Sequence, residues 1–116
     1  VSVQLKKRAT DKEVLDVWRR APRLKFVKGA EGVKSTAQIM ELARDLGRPR
    51  SDLYEIGIWE DGVHVVDGTQ LYYFQAVHQE SDVVPENVDA IRAMMELEKD
   101  GRKSIEKTDR SMGIDR

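Results

Sequence analysis

Cysteine is missing altogether from the 116 residues. That excludes disulfide staples, thiolate zinc sites and cysteine nucleophiles among them. Asn87 is the only asparagine. No apolar run approaches the roughly 18 residues of a membrane span, and the first residues form no signal-peptide core. Neither sign of charge dominates: 20 basic residues face 21 acidic ones, for a net charge of -1. No charge block resembles an acidic tail or a basic nucleic-acid arm. The basic residues are interleaved with acids, which sets nucleic acid aside as a partner. What remains is the composition of a cytoplasmic globular domain with room for one core.

The patterning starts at the first residue. Val1, Val3 and Leu5 alternate with Ser2, Gln4 and Lys6, the period of a half-buried strand. A domain that opens inside a strand points to missing upstream chain, so the chain is read as a fragment. Thr10 and Glu13 form a capping box, Val14, Trp18 and Ala21 an apolar stripe, and Pro22 a stop. Leu24, Phe26 and Val27 indicate a short strand, followed by a turn at 29–32. Ser35 and Gln38 offer a second capping box. Ile39, Leu42, Ala43 and Leu46 then form a helix face, with Gly47 at its C-terminal cap.

Three strands are expected at 53–59, 63–66 and 70–77. Asp61-Gly62 and Asp67-Gly68 separate them as hairpin signals, so an antiparallel meander is predicted. Pro85 suits the first position of a helix. Val84, Val88, Ile91 and Met95 share one face of that helix. Gly101 interrupts, and a polar helix follows over about 102–112. The order predicts an α+β fold: a mostly antiparallel sheet with a three-strand meander and helices on one face. Apolar residues fall on both parities of the meander strands, as in a sheet buried on both sides, one of them by another subunit.

Few residues look equipped for chemistry. His64 sits within a strand and reads as a packed or partly exposed histidine. His78 ends a strand and opens a polar stretch before a helix, a ligand-facing position for which a plain capping loop is the simpler reading. His78, Glu80 and Asp82 alternate, but a zinc site calls for further histidines or a helix-borne pair. Ser81 lacks the glycine elbow of a serine nucleophile. The 29–32 turn has no phosphate-cradling glycine pattern. Arg48 and Arg50 flank Pro49 and could meet an anion, though a solvated loop or pairing across a subunit interface is the stronger reading.

The stretch QAVHQESDVVPENVDAIRAM, residues 75–94, closely resembles the C-terminal part of archaeal-type (type II) phosphorylating glyceraldehyde-3-phosphate dehydrogenase. GAEGVKSTAQIMELARDLGRPRSDLYEI (29–56), WEDGVHVVDG (59–68) and KSIEKTDRSMGI (103–114) are similar to the same family. The resemblance implies that residues 1–116 are the C-terminal portion of the catalytic domain of a two-domain dehydrogenase. The N-terminal dinucleotide-binding domain and the catalytic cysteine would lie outside them. It further implies oxidative phosphorylation of D-glyceraldehyde 3-phosphate to 1,3-bisphosphoglycerate, with inorganic phosphate and NAD or NADP, in a homotetramer. No catalytic residue carries over, because the family's cysteine and substrate-site histidines precede the matched segment. One position does: Gln79 matches a glutamine that contacts the cofactor. The alternative from another class is a non-catalytic α/β protein-interaction module.

Overall fold

The computed structural model describes residues 1–114. Strand β1 (Ser2–Gln4) forms where the alternation predicts it, but all three of its residues are exposed, so it is not half-buried. Helix α1 (Asp11–Trp18) opens on the expected capping box. The Thr10 hydroxyl accepts the Glu13 N–H at 3.2 Å, and the Glu13 carboxylate accepts the Thr10 N–H at 2.8 Å. The second box is displaced. Ser35 caps helix α2 (Thr36–Asp45), but the Gln38 side chain accepts the N–H of Lys34, at 2.6 Å, rather than that of Ser35. Gly47, at φ +77°, closes α2 as expected. Its N–H donates to Arg44 and that of Arg48 to Ala43, the two reverse bonds of a glycine-terminated helix.

The class is α+β, with six strands in two sheets of three, mostly antiparallel. Strand β2 (Leu24–Val27) runs parallel to β3 (Ile56–Trp59). Strands β4 (His64–Val66) and β5 (Gln70–Tyr72) form a hairpin, with β1 on the other side of β5. Strand β6 (Gln75–Ala76) pairs antiparallel with β3. The predicted meander is thus divided between the sheets. Asp67 and Gly68 build the tight hairpin, both with positive φ, +51° and +73°. Asp61-Gly62 does not. Residues Glu60–Gly62 make a short 3₁₀ turn, and the Asp61 carboxylate is occupied by the N–H groups of Gly29 (3.2 Å) and Ala30 (3.0 Å). The third expected strand breaks at residues 73–74, its halves serving as β5 and β6 in different sheets.

Helices cover both sides of the β2–β3 pair, not one as expected. Val27 and Ala76 bury against Ile39 and Ala43 of α2. Leu24, Phe26, Ile56 and Ile58, on the opposite parity, belong with Val14 and Trp18 of α1 and with Leu71 of β5. In the β2–β3 pair the apolar supply on both parities is therefore used within the chain, whereas Val66, Tyr72, Phe74 and Val77 of the other meander segments stay 46–69% exposed. Gly57 keeps the α2 side close: a Cβ there would lie 3.4 Å from the Ile39 methyl.

Helix α3 (Gln79–Met94) begins six residues before Pro85, which lies inside it. Its start is fixed by tertiary contact, the Ser81 hydroxyl lying 2.8 Å from the Leu53 carbonyl. Gly101 opens helix α4 (Gly101–Met112) rather than interrupting one. Asp100 caps α4, and Gly113 ends it with φ +67°. Arg23 joins the two helices to the sheets. Its buried guanidinium donates to Glu86 (2.8 Å), Asp89 (2.6 Å) and Asp109 (2.9 Å), while its carbonyl accepts the Ile56 N–H at 3.0 Å.

Candidate functional site

The chain leaves β6 at Ala76 and enters α3 at Gln79, so the polar stretch from His78 is a helix start rather than a loop. His78 is the N-cap residue, and its carbonyl accepts the N–H groups of Ser81 and Asp82, both at 2.9 Å. Ser81 is buried and spends its hydroxyl on the carbonyls of Leu53 and His78, which anchors the helix start. It is no nucleophile. Gln79 is the first helical residue and is exposed. Its amide has no hydrogen-bond partner among the described residues. The reading in which Gln79 satisfies backbone groups ahead of the helix finds no such bond in the structure.

Two further polar atoms stand out at this helix end. His78 Nε2 and Asp82 Oδ1 are buried, and neither has a hydrogen-bond partner. Buried polar atoms are nearly always paired, and an unpaired one calls for a cause. Here both lie within one turn of Gln79. Sequence reasoning marked the stretch but could not mark these atoms, because their burial depends on the distant segments packed around them.

The same helix carries an uncovered apolar face. Val84, Val88, Ile91 and Met95 are 37, 36, 60 and 66% exposed. The face predicted from sequence forms, and its four residues stay 36–66% exposed in the described chain, most so toward its end. An apolar helix stripe in water is a mark of an interaction surface.

The remaining candidates lie apart from one another. Glu80 is exposed while Asp82 is buried, and the described residues contain no cluster that could hold a metal ion. His64 is exposed, with Nδ1 3.7 Å from Asp11 Oδ2. Arg48 is neither solvated nor paired across an interface. It is buried, holds Glu55 through two nitrogens at 2.7 and 3.2 Å, and lies over the Tyr54 ring at 5.2 Å. Arg50 pairs locally with Asp52 at 2.6 Å. Arg48 is thus committed within the chain, while Arg50, 77% exposed, sits in the solvated loop that the sequence suggested.

Fold and site define a class: an α+β chain whose third helix starts at an exposed amide and carries a partly exposed apolar face. Comparison with known proteins makes this particular. No protein-family profile matches the chain. The glyceraldehyde-3-phosphate dehydrogenase of Thermoplasma volcanium is 57% identical over 116 residues, 100% of this chain and 34% of its own length. Those of Methanopyrus kandleri and Methanobacterium bryantii are 55% and 54% identical, over 98% and 97% of this chain. The chain is a homologue of archaeal glyceraldehyde-3-phosphate dehydrogenases and spans about a third of the length of these relatives.

Proposed function

We propose that the chain works as the C-terminal portion of the catalytic domain of an NAD(P)-dependent glyceraldehyde-3-phosphate dehydrogenase. The parent reaction converts D-glyceraldehyde 3-phosphate and inorganic phosphate to 1,3-bisphosphoglycerate. The observation that carries this reading is identity of 51–57% over nearly the whole chain. The uncovered α3 face agrees with it, since a segment of an assembly keeps an apolar surface for the rest. The remaining two-thirds of the enzyme and further copies in a homotetramer are the proposed partners. No helix among the described residues is long and apolar enough to cross a membrane, in keeping with a cytoplasmic enzyme.

In this reading Gln79 is a cofactor contact. The nicotinamide cofactor supplies the hydride acceptor when bound. An exposed amide without an internal partner offers two donors and one acceptor, which suits a neutral carboxamide or ribose hydroxyl. The sheet and the Ser81 anchor hold its backbone. These residues contribute binding and orientation; the bond-making thiol has no counterpart among them.

The test uses the intact protein and the isolated 116 residues side by side. The intact protein reduces NAD or NADP with glyceraldehyde 3-phosphate, and the isolated chain does not. Gln79→Ala weakens cofactor binding roughly 2- to 13-fold, the equivalent of about 0.5–1.5 kcal/mol for one neutral hydrogen bond. Its melting temperature stays where it was. Unchanged cofactor affinity in a folded Gln79→Ala enzyme removes Gln79 from the site, and turnover by the isolated chain overturns the fragment reading.

A further inference from the structure

Between β1 and α1 the chain forms an open groove of about 790 Å³. Its floor is apolar, made by Val14, the half-buried Trp18 and Leu71. Its rim is basic: Lys6, Lys7, Arg8 and Arg20 are exposed. None of the four makes an ion pair among the described residues. The acids on the same rim are already engaged. Glu13 closes the capping box with Thr10, and Asp16 lies 3.5 Å from Lys12 and 3.3 Å from Arg19. Glu13 keeps its charge beside the neutral Thr10, but four cations against two acids among the lining residues leave the groove locally cationic in a molecule whose net charge is -1.

The cations are also presented rather than trailing. The N–H of Leu5 donates to the Thr69 carbonyl at 2.7 Å, and that of Ala9 to the Gly68 carbonyl at 2.9 Å. Residues 6–8 are thus clamped at both ends onto the β4–β5 turn. The Arg8 guanidinium lies against that turn as well, since a Cβ on Gly68 would fall 2.8 Å from Arg8 Nη2. Fixing the backbone that carries the lysines, though not their side chains, before a ligand arrives removes part of the ordering cost from binding.

From these features we propose that the groove binds a nucleoside triphosphate, with the phosphates on Lys6, Lys7 and Arg8 and the base over the Val14–Trp18 floor. Unpaired cations on a clamped segment fit adjacent phosphates. The apolar floor gives a flat ring a surface to leave water. The volume lies within the roughly 300–1,000 Å³ usual for small-molecule sites. A long polyanion is disfavoured because the molecule as a whole is slightly acidic and supplies no extended positive field. The site stands on its own residues and is independent of the dehydrogenase reading.

Calorimetric titration of the intact protein with ATP, and separately with tripolyphosphate, tests it. ATP binds about tenfold or more tightly than tripolyphosphate, the difference reporting the base on the apolar floor. Lys6→Gln/Lys7→Gln weakens ATP about tenfold or more, and Arg20→Gln, on a different element, weakens it severalfold. Both variants keep wild-type affinity for NAD or NADP, which separates this groove from any cofactor site. Wild-type ATP affinity in both variants overturns the proposal. So does equal affinity for ATP and tripolyphosphate, which reduces the groove to a general anion patch.

Discussion

At the scale of single residues, the fold turns on one buried cation and the acids around it. Burial alone would favour loss of the Arg23 proton, but the hydrogen bonds it donates to Glu86, Asp89 and Asp109 outweigh it and hold the guanidinium above its ordinary range. Asp89 shows the converse. Burial pushes its carboxyl up, but the Ser104 and Thr108 hydroxyls and then Arg23 outweigh that and hold it below its usual value. A carboxylate depressed in the folded state stabilises the fold above its unfolded value near about 3.9, and that contribution is lost as pH falls through the lower folded value. Asp89→Asn is therefore expected to destabilise the protein by about 1–3 kcal/mol at neutral pH. The gap to wild type stays level down to pH ~5 and narrows below pH ~4. Urea midpoints at those pH values measure it; a gap that widens on acidification contradicts the assignment. None of this was legible in the sequence. The three partners of Arg23 lie 63, 66 and 86 residues away, beyond any periodicity. Arg48 and Glu55 are only seven apart, but spacing alone does not say that a loop arginine is buried.

At the scale of elements, what the sequence conveyed was what three to five neighbouring residues decide. The Thr10–Glu13 box, the Gly47 cap and the Asp67-Gly68 hairpin are of this kind, and all three form. The misplaced boundaries were decided from outside. Asp61 is drawn to the 29–30 backbone, so its dipeptide carries the chain between sheets instead of turning a hairpin. Ser81 is drawn to Leu53, so α3 starts ahead of its proline. For the candidate site, the helix face was visible as a 3.6-residue period, Gln79 came from resemblance, and the unpaired His78 and Asp82 atoms were not visible. The hairpin gives a sharp test of local control. Gly68 needs its left-handed φ of +73°, so Gly68→Ala should cost about 1–2 kcal/mol. Gly68→Asn should cost less, because asparagine enters that region more readily. Thermal unfolding of the two variants decides it. If alanine and asparagine cost the same, contact with Arg8 rather than backbone conformation sets the requirement for glycine.

At the scale of the whole molecule, the described chain covers both sides of the β2–β3 pair but leaves one face of the β1–β5–β4 sheet open, and two further surfaces suit association. One is the edge strand β1, with unpaired backbone groups along one side. The other is the α3 stripe, joined at the last helical residue by Met94 and beyond the helix by Leu97, 82 and 71% exposed. The first invites β-pairing with another chain, the second apolar burial, and their sizes decide between them. β1 has three residues, and a short edge gives few cross-chain bonds. The helix offers several large side chains in a row, each able to gain about 25 cal/mol for every Å² removed from water. The isolated 116-residue chain should therefore self-associate at tens of micromolar, the order of concentration at which exposed apolar surface becomes adhesive, and should do so through α3. Sedimentation velocity separates the routes. Ile91→Glu/Met95→Glu places two charges on the stripe and shifts the chain toward monomer. Gln4→Pro removes an outward-facing edge donor, since the Val1 and Leu5 N–H groups bond β5 and its turn and the alternation turns that of Gln4 away, and leaves association nearly intact. In the intact protein the stripe is expected to be covered, so the same double glutamate substitution there lowers the melting temperature instead of improving solubility. A wild-type isolated chain that stays monomeric would mean that the exposed stripe is tolerable in water, and the case for a missing partner on α3 would lose its physical support.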